Sequence, residues 1–157
     1  MTGTGTAGGR AADVVLLREL DPSGRGAVHA TLDRAAGVLS PERRSFRVRP
    51  VALDRRAYAV VTAGRSQVQL TVERAAGWRR ASVPLLDMRS GREAAQPADA
   101  ARALADALES RGVGNGARVV ADLRAHAAHL ERGGAVTSSP LARLVGLGGG
   151  GAISALG

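Results

Sequence analysis

Gly112-Val113-Gly114-Asn115-Gly116-Ala117 satisfies the G-x-G-x-x-[GA] pattern of dinucleotide-binding turns, and an acid, Glu131, follows at a distance suited to a ribose hydroxyl. Asp122, His126 and His129 stand at i, i+4 and i+7, which on a helix confines them to about 60° of arc, a face that a metal ion could meet. Arg43, Arg47 and Arg49, with Arg55 and Arg56 in the turn that follows, could form a basic binding stripe on the open face of a sheet. Whether any of these does chemistry depends on the elements that carry it.

The middle of the chain has the period of strands. Ser45 to Leu53 sets Phe46 and Val48 against Arg47 and Arg49, Ala57 to Thr62 is β-rich, and Ser66 to Glu73 sets Val68, Leu70 and Val72 against polar neighbours. A fourth strand runs from Trp78 to about Leu86, on an edge because Pro84 cannot donate to a ladder. The connections are short, which favours an antiparallel meander over parallel pairing. Asp21-Pro22-Ser23-Gly24 is a turn that splits off a short first element. Ala27 to Leu39 repeats apolar residues at spacings of three and four and is predicted as a helix ended by Ser40-Pro41. Helices are predicted from Pro97 to Gly112 and from Ala117 to Arg132, ended by Gly133-Gly134, with a short last one over Pro140 to Leu147. The expected fold is α+β. An antiparallel meander of about four strands is covered on one face by a C-terminal helical hairpin, with an N-terminal helix before it. One domain over 11–147 would lie between a polar tail, 1–10, and a glycine-rich tail, 148–157.

These elements decide between the chemistries. A dinucleotide turn must leave a strand and enter a helix, so that the helix N-terminus faces the pyrophosphate. Here a helix enters the glycines and no strand precedes Glu131, so a glycine-rich cap and hinge between two helices is the reading that stands. For the metal face, the alternative is that Asp122 pairs with Arg118 while the histidines border the apolar stripe; a zinc site needs three or four converging ligands, and the sequence places no further one nearby. The arginine stripe reads more readily as a solvated face that keeps the sheet from pairing with other chains. Gly64-Arg65-Ser66-Gln67-Val68 lacks the last glycine of a nucleophile elbow, and His29 is isolated. No catalytic, cofactor-binding or metal residue is therefore assigned, and no cofactor is expected.

Composition narrows the classes further. All 22 basic residues are arginine, with neither lysine nor cysteine in 157 residues, so Schiff-base chemistry, a Walker-A loop, thiol catalysis and a cysteine zinc site are excluded. The same bias in favour of arginine, alanine and glycine follows from codon usage in a GC-rich genome. A net charge of +8 draws a protein toward acidic proteins, nucleic acid or anionic lipid. Only Phe46, Tyr58 and Trp78 could stack on a base, fewer than single-strand binders usually use, so a protein or other acidic partner is favoured over nucleic acid. Val14 to Leu17 is too short for a signal-peptide core or a membrane span, and a cytoplasmic location is the default.

The order of helix, antiparallel strands around Trp78, Ser82-Val83, a Ser90-Gly91 turn and then ADAARALADALESRGVGNGARVVADLRAHAAHLERG resembles the N-terminal region of the siderophore synthetases that act without a nonribosomal peptide synthetase. The similarity covers roughly Val28 to Gly133 and rests on element order and spacing, with no diagnostic motif. It implies a place in making hydroxamate or carboxylate iron chelators, where the full-length enzymes use ATP and magnesium to join a carboxylate to an amine or alcohol. The family's nucleotide-binding histidine, lysine and arginine motifs have no match after Gly133, and no functional residue carries over. The resemblance implies a non-catalytic N-terminal portion that needs a partner chain; a small basic interaction module for an acidic protein or nucleic acid is the alternative.

Overall fold

Alternation of β-branched and polar residues becomes sheet from Ala57 onward. In a computed structural model, which describes residues 13–147 apart from Gly77, β5 (Ala57–Ala63), β6 (Gln67–Arg74), β7 (Arg79–Asp87) and the two-residue β8 (Ala94–Ala95) form an antiparallel meander. Ala59, Val61, Val68, Leu70, Val72, Ala81 and Val83 turn inward and are buried, while Tyr58, Gln69 and Glu73 turn out. A second antiparallel sheet precedes it, built from β1 (Val14–Arg18), β2 (Val28–Asp33), β3 (Val38–Pro41) and β4 (Val51–Ala52). β7 lies against β2, β3 and β4, so residues of both sheets enter one apolar core.

The first sheet overturns the expected N-terminal helix. The segment Ala27 to Leu39 is two strands, β2 and β3, joined by a turn in which Asp33 accepts a hydrogen bond from the Ala36 amide (2.8 Å). Gly37 adopts φ +65, a left-handed backbone that ends the turn and that no α-helix contains. Ala30 and Leu32 are buried two apart, the period of a strand. The expected strand over Ser45 to Leu53 is confined to Val51–Ala52, which pairs with β3 and not with β5. Residues 42–50 form a loop instead, because Ser45 closes a tight turn (its amide donates to the Val48 carbonyl, 3.0 Å, and its Oγ accepts from the Val48 amide, 3.3 Å) and Pro50 has no N–H to give a ladder. Phe46, expected inside, is 81% exposed. β7 lies between β6 and β8, but β8 pairs only with Leu86 and Asp87, so at Pro84 the strand has a neighbour on one side alone, and the register with β6 shifts by a bulge between Val68 and Gln69.

The helical hairpin follows its capping signals. α1 (Ala98–Ser110) ends where Gly112 takes φ +64, with the Val113 amide bonded to the Leu108 carbonyl and the Gly112 amide to that of Glu109. α2 (Gly116–Glu131) ends in the same way at Gly133, φ +75. α2 lies against β5 and α1 against β1; α3 (Ala142–Leu147), reached through a 3-10 turn at Val136–Ser138, lies against β6. Salt bridges lace the outer side of the hairpin, Arg124 to Asp106 (3.0 Å) and Glu109 (2.7 Å), and Arg102 to Glu131. Among the described residues, no helix is long and apolar enough to cross a membrane. The expected tails 1–10 and 148–157 lie outside the described residues.

Gln96, 1% exposed, joins the two sheets. Its side-chain amide donates to the Arg18 carbonyl at the end of β1 (2.6 Å) and to the Pro84 carbonyl of β7 (3.0 Å), and its own amide donates to Leu85 (3.0 Å). Removing that side-chain donor leaves two carbonyls short of a partner, each at a cost of about 1–3 kcal/mol. Gln96→Leu, of similar volume, should therefore lower the unfolding free energy by about 3 kcal/mol in urea titrations; an unchanged midpoint would show that the tie between the sheets is not structural.

Candidate functional site

The second sheet turns one cross-strand row outward, Tyr58 opposite Glu73 and Glu73 opposite Arg80. Two connections rise beside it. The β6–β7 turn carries Trp78, whose amide donates to the Ala75 carbonyl (3.3 Å) and whose backbone sits at φ +52, a region that a bulky side chain rarely adopts. The 42–50 loop is held against the start of β7 by a parallel bridge between Val48 and Arg80, in which the Arg80 amide donates to the Arg47 carbonyl (2.9 Å) and the Arg49 amide to the Arg80 carbonyl (3.2 Å). That pairing brings the Arg47 guanidinium over the Trp78 ring, 5.4 Å from its centroid. Between the turn, the loop and the outward row lies a cleft of about 560 Å³, and adjoining clefts share Arg44, Arg79 and Arg80 with it or with each other.

The arginines divide into those paired with carboxylates and those that form no salt bridge among the described residues. Arg34, Arg74, Arg89, Arg102 and Arg124 are paired with carboxylates. Arg43, Arg44, Arg47, Arg49, Arg79 and Arg80 form no salt bridge among the described residues, and all are exposed. The acids beside them are few: Glu73 in the cleft floor, with Glu19 and Glu42 at the adjoining one.

Of the five arginines singled out by the sequence, Arg43, Arg47, Arg49 and Arg56 line these clefts. They do so from a loop and a turn, not from a strand face. Arg55 departs from the group; its side chain lies beside Gly112, at the interhelical turn. Sequence reasoning missed Arg44, Arg79, Arg80 and the position of Trp78, although the run Gly77-Trp78-Arg79-Arg80 after a turn is a legible signal.

The glycine pattern has a structural part. α1 enters it and α2 leaves it, and Gly114 exchanges two backbone hydrogen bonds with the edge of β5, donating to Ala57 (2.9 Å) and accepting from Ala59 (3.0 Å). Asn115, in the left-handed conformation at the start of α2, donates its side-chain amide to the Ala59 carbonyl (3.1 Å). A Cβ at position 114 would stand 3.4 Å from the Tyr58 ring and 3.1 Å from the Ala57 carbonyl, so a glycine is what lets the loop back the ring at the cleft floor.

Asp122, His126 and His129 share a helix but do not converge. His126 is fully buried with Nδ1 2.6 Å from Ser139 Oγ, whereas His129 faces out, its Nε2 2.9 Å from the Ala135 carbonyl. Burial raises the Asp122 carboxyl, opposed by the charge of Arg118. No cluster of three metal-ligating side chains occurs among the described residues. Comparison with family models, curated proteins and solved structures finds no match to this chain. The resemblance drawn from element order also begins with a helix, where the structure has strands.

Burial, assisted by the neighbouring His129, holds the His126 imidazole down to about 4, and Nε2 has no hydrogen-bond partner among the described residues. The folded state thus disfavours the proton that the unfolded chain accepts below its ordinary value of 6.5. Stability is complete above that value and falls as pH drops toward 4, by about 3 kcal/mol over the interval. Asp87, held down to about 2 chiefly by hydrogen bonds from Arg89, adds a separate loss below pH 3.8. Urea unfolding measured from pH 7 to pH 4 should show the upper decline in the native chain and its absence in His126→Gln; equal slopes in both would refute the assignment.

Proposed function

We propose that this chain is a non-catalytic binding module that takes an anionic partner on the arginine-rich face formed by the 42–50 loop and the start of β7. The observation that carries the reading is the set of exposed arginines without carboxylate partners, Arg43, Arg44, Arg47, Arg49, Arg79 and Arg80, gathered from two distant stretches of sequence by one backbone bridge. Guanidinium groups that share one face repel one another, and a polyanion relieves that repulsion while releasing its own counterions. Codon usage accounts for arginine being abundant; it does not account for arginines of two distant stretches being brought together on one face by a backbone bridge.

Charge alone would bind a polyanion wherever arginines lie, so the test compares two variants of equal net charge. Arg47→Ala/Arg79→Ala/Arg80→Ala removes three charges from this face, and Arg25→Ala/Arg65→Ala/Arg143→Ala removes three exposed ones from the β1–β2 turn, the β5–β6 turn and α3. On immobilised heparin the first variant should elute at clearly lower salt than the second, and its affinity should fall less steeply with salt than that of the native chain, by roughly one unit of slope for each anionic group that an arginine no longer neutralises. Identical elution of the two variants would reduce the attraction to overall charge and overturn the proposal.

A further inference from the structure

We infer that the ligand of this face is a single-stranded nucleic acid whose bases stack on Trp78 and Tyr58 while its phosphates follow the arginines of the rim, an inference that rests on the anion-binding reading above. The first observation is where the aromatic rings are. The chain has one tryptophan, one tyrosine and one phenylalanine, and all three are exposed: Trp78 72%, Tyr58 45% and Phe46 81%. An aromatic ring left in water forgoes the burial that would make it stabilising, and rings in small domains normally fill the core. Trp78 and Tyr58 line the same cleft as Arg47, Arg56, Arg79 and Arg80, and Phe46 belongs to the loop that walls it.

The second observation is the backbone at Trp78. A left-handed conformation at a bulky residue costs of order 1–3 kcal/mol and persists only where the surroundings enforce it. Here it directs a tryptophan out of a hairpin turn, to a place where its ring meets Arg47 and solvent. Glycine or asparagine would occupy that turn position without strain.

Charge within the cleft selects among polyanions. Glu73 stands in the floor between Tyr58 and Arg80, so a phosphate or an acidic side chain directed inward would meet a carboxylate. Groups that settle on Tyr58 beside Glu73 are therefore favoured when uncharged, and negative groups are favoured beside the arginines of the same cleft, Arg47, Arg56, Arg79 and Arg80, and of the adjoining one, Arg44 and Arg49. A single strand separates its charges from its rings in this way. An acidic peptide carries its charge on the very side chains that would have to enter, and a duplex keeps its base faces inside the stack.

Trp78 is the sole tryptophan, so its emission reports the cleft without a label. The full chain is titrated with a twelve-nucleotide oligo(dT), the corresponding dA–dT duplex and a polyglutamate of matched charge, and each titration is repeated with Trp78→Gly by anisotropy of end-labelled ligands. Glycine accepts the left-handed backbone, so this variant keeps its fold, checked by its circular dichroism and urea midpoint. Oligo(dT) should quench the emission, bind at least ten-fold more tightly than polyglutamate or duplex, and lose between about five-fold and a hundred-fold in Trp78→Gly. Equal binding of all three ligands, with emission and affinity indifferent to Trp78, would overturn the stacking inference and leave the anion-binding face standing. Preference for polyglutamate or for the duplex would likewise overturn it in favour of a protein partner or of duplex recognition through phosphates alone. Failure of every ligand to bind would remove both readings.

Discussion

Leucine, valine and alanine fill the interior of this protein, and its tryptophan, tyrosine and phenylalanine all stand outside it. Small side chains let sheets and helices approach closely, but each alanine withdraws little apolar surface from water, so apolar burial alone fixes the layers weakly. Polar groups placed at the seams supply the missing specificity. Gln96 spans from β1 to β7, the His29 ring meets the Ser82 carbonyl across the sheets at 3.1 Å, and the Arg111 guanidinium donates to the Arg34 and Ala35 carbonyls in the β2–β3 turn. Each tie is to a backbone carbonyl, which has one position once the strand is formed. The layers are thereby aligned by hydrogen-bond direction as much as by fit of side chains.

The candidate face is a product of the same arrangement. β7 is the strand on which the first sheet rests, and its first residues also anchor the 42–50 loop through Arg80. Arginines from two stretches of sequence therefore meet because the inner strand of the fold fixes them both. Tyr58 is supported from behind by Gly114 and Trp78 is projected by the turn backbone, so neither ring depends on the core for its position.

The second sheet and the hairpin were legible because local and global signals agree there. Val68, Leu70 and Val72 alternate with polar residues over a full strand, and Gly112 and Gly133 stand where helices must end. The first sheet was not legible, since Val28, Leu32 and Leu39 satisfy a helical spacing and Ala35 and Ala36 suit either period; the deciding residues, Asp33 and Gly37, act through one side-chain bond and one dihedral angle. In the 42–50 loop the alternation of Phe46 and Val48 with arginines imitates a strand. What defeats it is a hydrogen-bonded turn at Ser45 and the proline at 50. Arginine as the dominant side chain of the site could be read from composition, but its uneven pairing with carboxylates could not, because Arg102 finds Glu131 and Arg47 finds Trp78 only in three dimensions. His126 was singled out by spacing for a surface role, while its partner Ser139 lies beyond two glycines and follows no periodic pattern.

The attachment of Gly114 and Asn115 to β5 has an effect on colloidal behaviour. Ala57–Ala63 reads Ala-Tyr-Ala-Val-Val-Thr-Ala, a seven-residue stretch with no charge and no proline, of the kind that adds strands from other molecules when its edge is bare. The interhelical loop occupies the first half of that edge with its own backbone. Lifting the loop, with the rest of the domain still folded, would uncover an adhesive rim, so strand addition from another molecule at this edge requires a local opening at the glycines and no melting of the core.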